Sequence, residues 1–79
     1  MEQNWTETDN SLTKTFVFKD FLSAIKWMVH ASTAIEALNH HPEWTNVYNK
    51  VKVVLRTHDA GNTVTDKDRE LAVLLDGIG

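Results

Sequence analysis

Between residues 12 and 18 the chain alternates. Leu12, Lys14, Phe16 and Phe18 share one parity and polar or small residues take most of the other. Period two is the signature of a strand, so Phe16 and Phe18 are predicted on one side of a sheet, with the stem of Lys14 over apolar surface near the outer end. Residues 4–7 read as a short partner strand, and the polar run Thr8-Asp9-Asn10-Ser11 as the turn between the two. A second alternating stretch lies at 50–56. Val51, Val53 and Leu55 share one parity, and Lys50, Lys52 and Arg56 the other. That pattern belongs to an antiparallel strand with one buried face and one wet face. Residues 44–48 can pair with it through a tight turn near Tyr48-Asn49, or 43–57 can run as one long strand. Periodicity alone leaves both readings open.

Two stretches carry helical spacing. Asp20 is a suitable N-cap for a helix from 21 to about 39, which Pro42 stops by pushing His41 out of the α region. At about 100° per residue, Phe21, Ile25, Met28, Val29 and Ile35 fall on one broad face, and Lys26, His30, Thr33 and Ala37 lie opposite. Glu36 is predicted inside the apolar arc. After the turn-rich stretch 58–62, Thr65 and Asp68 resemble a capping box for a last helix reaching Asp76, with Gly77 as its C-cap. Leu71, Leu74, Leu75 and Ile78 form its predicted stripe. The order is ββαββα, and the predicted class is α+β, a four-stranded antiparallel sheet with helices on one face.

Composition narrows the function. With 79 residues the expectation is one small domain spanning 1–79, too short for a doubly wound nucleotide-binding sheet or a TIM barrel. Eight Lys+Arg against eleven Asp+Glu give a net charge of −3, unsuited to holding nucleic acid by bulk charge. Three basic residues at 50, 52 and 56 read as a solvated sheet face. Cysteine is absent, which removes disulfides and thiolate zinc sites. Neither a signal peptide nor a membrane span is visible, so a soluble cytoplasmic protein is expected.

The candidate chemistry lies in the histidines. His30 is mid-helix on the polar face and reads as a surface residue, whereas His40, His41 and His58 lie at element ends. Adjacent residues in an extended chain point apart, so His40 and His41 need two environments. Glu36, one turn before His40, supplies a carboxylate suited to tuning imidazoles near neutrality. Trp44 offers a flat apolar wall, or a core aromatic. A zinc site joining these groups to His58 and Asp59 is the rival reading, although adjacent histidines lack the i, i+4 spacing of helical ligands. There is no serine elbow and no phosphate-cradling loop, and proton transfer by imidazoles on a small neutral substrate remains.

His40-His41-Pro42-Glu43-Trp44, Asn46-Val47-Tyr48-Asn49-Lys50-Val51 and Thr57-His58-Asp59, with Phe16-Val17-Phe18-Lys19-Asp20-Phe21 before them, resemble the pterin-4a-carbinolamine dehydratase family. The similarity runs from about residue 5 to residue 78. It implies dehydration of 4a-hydroxytetrahydropterin to quinonoid dihydropterin, recycling the cofactor of aromatic amino-acid hydroxylases, with no metal or organic cofactor. By the family pattern His40, His41 and His58 are the essential histidines. His40 and His58 would exchange protons with the substrate, and His41 would chiefly orient it. Glu36, Asn39, Trp44, Thr57 and Asp59 match substrate-site positions. Asn39 stands where the family often has Asp, and the family's additional N-terminal helix has no counterpart here. Family members commonly form dimers or dimer-based tetramers. Some also serve as dimerisation partners of a transcription factor, which makes a non-enzymatic interaction protein the alternative function.

Overall fold

The computed structural model describes residues 5–8, 10–57, 61 and 63–78. Its elements are β1 (Thr6–Thr8), β2 (Ser11–Val17), α1 (Phe21–Leu38), β3 (Glu43–Val47), β4 (Lys50–Leu55) and α2 (Asp66–Asp76). The strands form one antiparallel sheet in the order β1-β2-β4-β3. This is the expected α+β arrangement, with both helices packed on the face that carries Leu12, Val51, Val53 and Leu55. Residues 43–55 form a hairpin, so the single long strand is excluded. The first strand starts at Thr6, and residue 4 of its expected range lies outside the described residues. No helix among the described residues is long and apolar enough to cross a membrane.

The hairpin turn is held by its own asparagines. Tyr48 takes a left-handed φ of 52°, uncommon for an aromatic residue. Asn46 Nδ2 donates to the carbonyls of Tyr48 and Lys50, at 3.2 and 3.0 Å. Asn49 ties the turn to the end of β2, since its Nδ2 donates to Phe18 O and its carbonyl accepts Phe18 N–H, both at 2.8 Å.

The two helices are fixed at their ends. Asp20 accepts Ser23 N–H at 2.8 Å and caps α1. That backbone hydrogen bond, more than the nearby Lys19 and Lys26 charges, holds the Asp20 carboxyl below its ordinary range. A depressed carboxyl stabilises the fold above its unfolded value of about 3.9, and the contribution is lost as pH falls through the folded value. Thermal melts should therefore separate wild type from Asp20→Asn near neutrality, and the gap should narrow as pH falls below the ordinary aspartate range. A constant gap would contradict this account. At the other end of the molecule, Lys14 Nζ donates to Asp76 Oδ1 at 2.6 Å, Trp5 Nε1 donates to Asp76 Oδ2 at 2.9 Å, and the Lys14 ammonium sits 4.6 Å from the Phe16 ring centre. These contacts fasten the end of α2 to the sheet, with the stem of Lys14 over aromatic surface as its parity predicts.

One expectation fails. The buried residues of α1 are Ala24, Trp27, Ala31 and Ile35, whereas Phe21 and Val29 are 49% and 60% exposed. The helix is rotated by roughly a quarter turn from the face that its largest apolar residues mark. Small side chains explain the rotation. Ala24 and Ala31 bring the helix close, and Trp27 drops into an aromatic cluster with Phe16, Phe18 and Trp44, at centroid distances of 4.5, 5.5 and 6.2 Å. Glu36 leaves the apolar side with that rotation; its side chain is 78% exposed. On α2, Leu71 and Leu75 are buried as expected, together with Ala72, but Leu74 is 40% exposed.

Candidate functional site

The site begins where α1 ends. Asn39 is the C-cap with φ 55°, in the left-handed region that asparagine tolerates better than most residues. Its N–H bonds to Glu36 O at 3.1 Å, and His40 N–H reaches Ile35 O at 3.4 Å. Winding stops there, and the next residues leave in extended form toward β3. His40 and His41 then diverge, as adjacent extended residues must.

His40 turns inward. Its side chain is 11% exposed, and Nε2 lies 2.6 Å from Oδ1 of Asp68, whose side chain is fully buried. The other carboxylate oxygen of Asp68 accepts Thr57 Oγ1–H at 2.8 Å and Thr65 N–H at 2.9 Å. Thr57 spends its single hydroxyl proton on Asp68, so in the 2.6 Å contact between the two threonine hydroxyls Thr65 is the donor. A carboxylate only accepts, hence His40 Nε2 carries a proton toward Asp68. In the neutral imidazole this leaves Nδ1 with a free lone pair, the atom able to take a proton from a bound molecule. Three elements meet here: the exit from α1, the end of β4 and the first turn of α2.

His41 turns outward. Its Nε2 is 2.6 Å from Glu36 Oε1, with side-chain exposures of 58% and 78%. The Glu36 carboxylate thus serves His41, five residues on, and not His40. Trp44 is half-buried against Trp27. Thr57 is buried and pairs its N–H with Thr63 O at 2.8 Å. His58 and Asp59 lie outside the described residues, as do residues 60 and 62 of the expected loop; the zinc reading needed His58 and Asp59. His30 is exposed mid-helix, apart from the site.

Sequence reasoning missed Asp68 as a site residue. It assigned Asp68 to the capping box, a role that is also present, since Thr65 N–H is one of its donors. The signal was the substitution itself. Aspartate in a position usually held by the longer Glu keeps its carboxylate close to the helix end, within reach of His40.

The class these features define is a small α+β domain, a sheet layered with two helices, in which a buried carboxylate holds one of two adjacent histidines at the end of the first helix. The chain belongs to the pterin 4 alpha carbinolamine dehydratase family, whose description it matches over residues 1–78. It is 53% identical over 70 residues to a protein of Opitutus terrae named "Putative pterin-4-alpha-carbinolamine dehydratase", covering 89% of this chain and 72% of that one. A protein of the same name from Bradyrhizobium diazoefficiens is 51% identical over 77 residues, covering 95% and 76% of the two chains. Among solved structures, the transcriptional coactivator/pterin dehydratase of Brucella melitensis superposes with a TM-score of 0.88 at 42% identity, over 94% of this chain and 80% of that one. A pterin dehydratase-like protein described as a RuBisCO assembly factor in the alpha-carboxysome gives 0.77 at 16% identity, covering 99% and 89%, a likeness of fold alone.

Proposed function

We propose that the protein dehydrates 4a-hydroxytetrahydropterin to quinonoid dihydropterin and water. The observation that carries this reading is His40 held by the buried carboxylate of Asp68 in a chain of this family. The reaction breaks the C4a–O bond. A proton goes to the departing hydroxyl, which leaves as water, and another is withdrawn from a ring nitrogen. Proton transfer alone balances the step, so no redox group is required. His40, with Nδ1 free and Nε2 anchored, and His58 exchange the protons. His41, steadied by Glu36, orients the substrate. Trp44, Asn39 and Asp59 line the pterin site, and Thr57 acts from behind by fixing Asp68.

The apolar arc that the core leaves uncovered supports self-association. Phe21, Leu22 and Val29 are 49%, 60% and 60% exposed along α1. Burying them between copies would explain why the largest apolar side chains of that helix face away from its own sheet.

The test follows the decay of 4a-hydroxytetrahydropterin by absorbance with wild type, His41→Ala and His58→Ala. Wild type is expected to accelerate decay above buffer, with His58→Ala lower by about 10²-fold or more and His41→Ala reduced chiefly through KM. Decay at the buffer rate would refute the reading. Variants as fast as an active wild type would refute the residue roles.

A further inference from the structure

Both helices cover one face of the sheet, and the opposite face is open. Two cross-strand rows are exposed on it. Val17, Lys50 and Val47 lie side by side on β2, β4 and β3, and Thr15, Lys52 and Thr45 form the next row. The valines are 64% and 67% exposed, and the rows enclose a shallow depression of about 260 Å³. Among the described residues neither the Lys50 nor the Lys52 ammonium has a hydrogen bond or an ion pair. The chain carries a net charge of −3, yet four of its eleven acidic residues, Asp66, Asp68, Glu70 and Asp76, are on α2, across the sheet. Among the described residues Glu43, at the far end of β3, is the acidic residue on the open face itself.

We infer that this face docks an extended, acidic segment of a partner protein that presents glutamates at alternate positions to the sheet. Lys50 and Lys52 are two residues apart on one strand, so they stand about 6.7 Å apart along it. Alternate side chains of an extended segment share that spacing, and glutamates at i and i+2 meet both ammoniums at once. The same side chains would relieve the mutual repulsion of two neighbouring lysines. Val17 and Val47 flank Lys50 and cover the methylene stem of its glutamate, while Thr15 and Thr45 flank Lys52 with hydroxyls. Two other occupants fit less well. A second copy set face to face would gather four ammoniums against the two Glu43 carboxylates alone. A nucleic acid would find two cations on an acidic domain, where affinity needs many phosphate contacts. The proposal is independent of the dehydratase reading, because these residues lie on the side of the sheet away from the Asp68 carboxylate.

The probe is a fluorescein-labelled peptide of eight alternating glutamates and valines, titrated with the full chain by anisotropy. Its comparators are the same peptide with glutamine for glutamate and an oligothymidylate of equal charge. Saturable binding on the order of 1 mM or tighter is expected, weakened at least tenfold by the glutamine peptide, by Lys50→Glu and by Lys52→Glu. Lys67→Glu, an exposed charge reversal on α2, should leave it unchanged, and Lys52→Gln should fall between wild type and Lys52→Glu. Melting temperatures of all variants exclude loss of fold as the cause. The proposal fails if wild type shows no saturable binding, if Lys67→Glu weakens it equally, or if the glutamine peptide or the oligothymidylate binds as tightly.

Discussion

Asp68→Asn is expected to slow carbinolamine dehydration by about 10²- to 10⁴-fold while the protein stays folded. Asparagine has the shape of aspartate and leaves no cavity. Its amide oxygen can still accept from Thr57 and Thr65, which turns the amide NH₂ toward His40. His40 Nε2 must then accept instead of donate, and the ring proton moves to Nδ1. The free lone pair is lost and the imidazole presents the wrong tautomer. The signature is specific: kcat falls, KM changes little, and ¹⁵N chemical shifts of His40 report the exchanged tautomer. Asp68→Ala should differ, since it strands a histidine and two threonines around a vacated site and costs about 3 kcal/mol of stability as well. A full-speed Asp68→Asn enzyme with His40 in the altered tautomer would show that the tautomer is irrelevant to the rate.

The largest effect on stability is expected at Trp27. Its side chain is 4% exposed and touches Phe16, Phe18 and Trp44, so it joins α1 to β2 and β3 at once. Trp27→Ala should cost about 3–5 kcal/mol. Folded domains are typically stable by only about 5–15 kcal/mol, and one this small lies toward the lower end, so the variant should keep little stability and unfold at far lower urea than wild type. Trp27→Phe retains an aromatic contact and should cost less than half as much. Urea unfolding followed by circular dichroism measures both. A loss below about 1 kcal/mol for Trp27→Ala would mean that the cluster repacks around the gap.

What the sequence disclosed follows the range of the interactions. The cap at Asp20, the capping box of Thr65 and Asp68 and the alternation of Val51, Val53 and Leu55 are local, and each was legible from a few adjacent residues, whereas the tight turn at Tyr48-Asn49 stood as one of two open readings. The rotation of α1 was not legible. Ranking residues by hydrophobicity favours Phe21 and Val29, whereas the helix packs through Ala24 and Ala31, whose small size permits close approach. Glu36 was misplaced by the same rotation. The divergence of His40 and His41 was readable from their adjacency, but the partner of His40 was not, because Asp68 lies 28 residues away and meets it only after the sheet and α2 have packed.

The most direct test is a stopped-flow comparison of wild type and His40→Ala, following the loss of 4a-hydroxytetrahydropterin near neutral pH. Wild type should accelerate decay well above buffer, and His40→Ala should lose about 10²- to 10⁴-fold of that acceleration while retaining a folded circular dichroism spectrum. A folded His40→Ala protein as fast as wild type, or a wild type no faster than buffer, would contradict the assignment of this reaction to the imidazole that Asp68 holds.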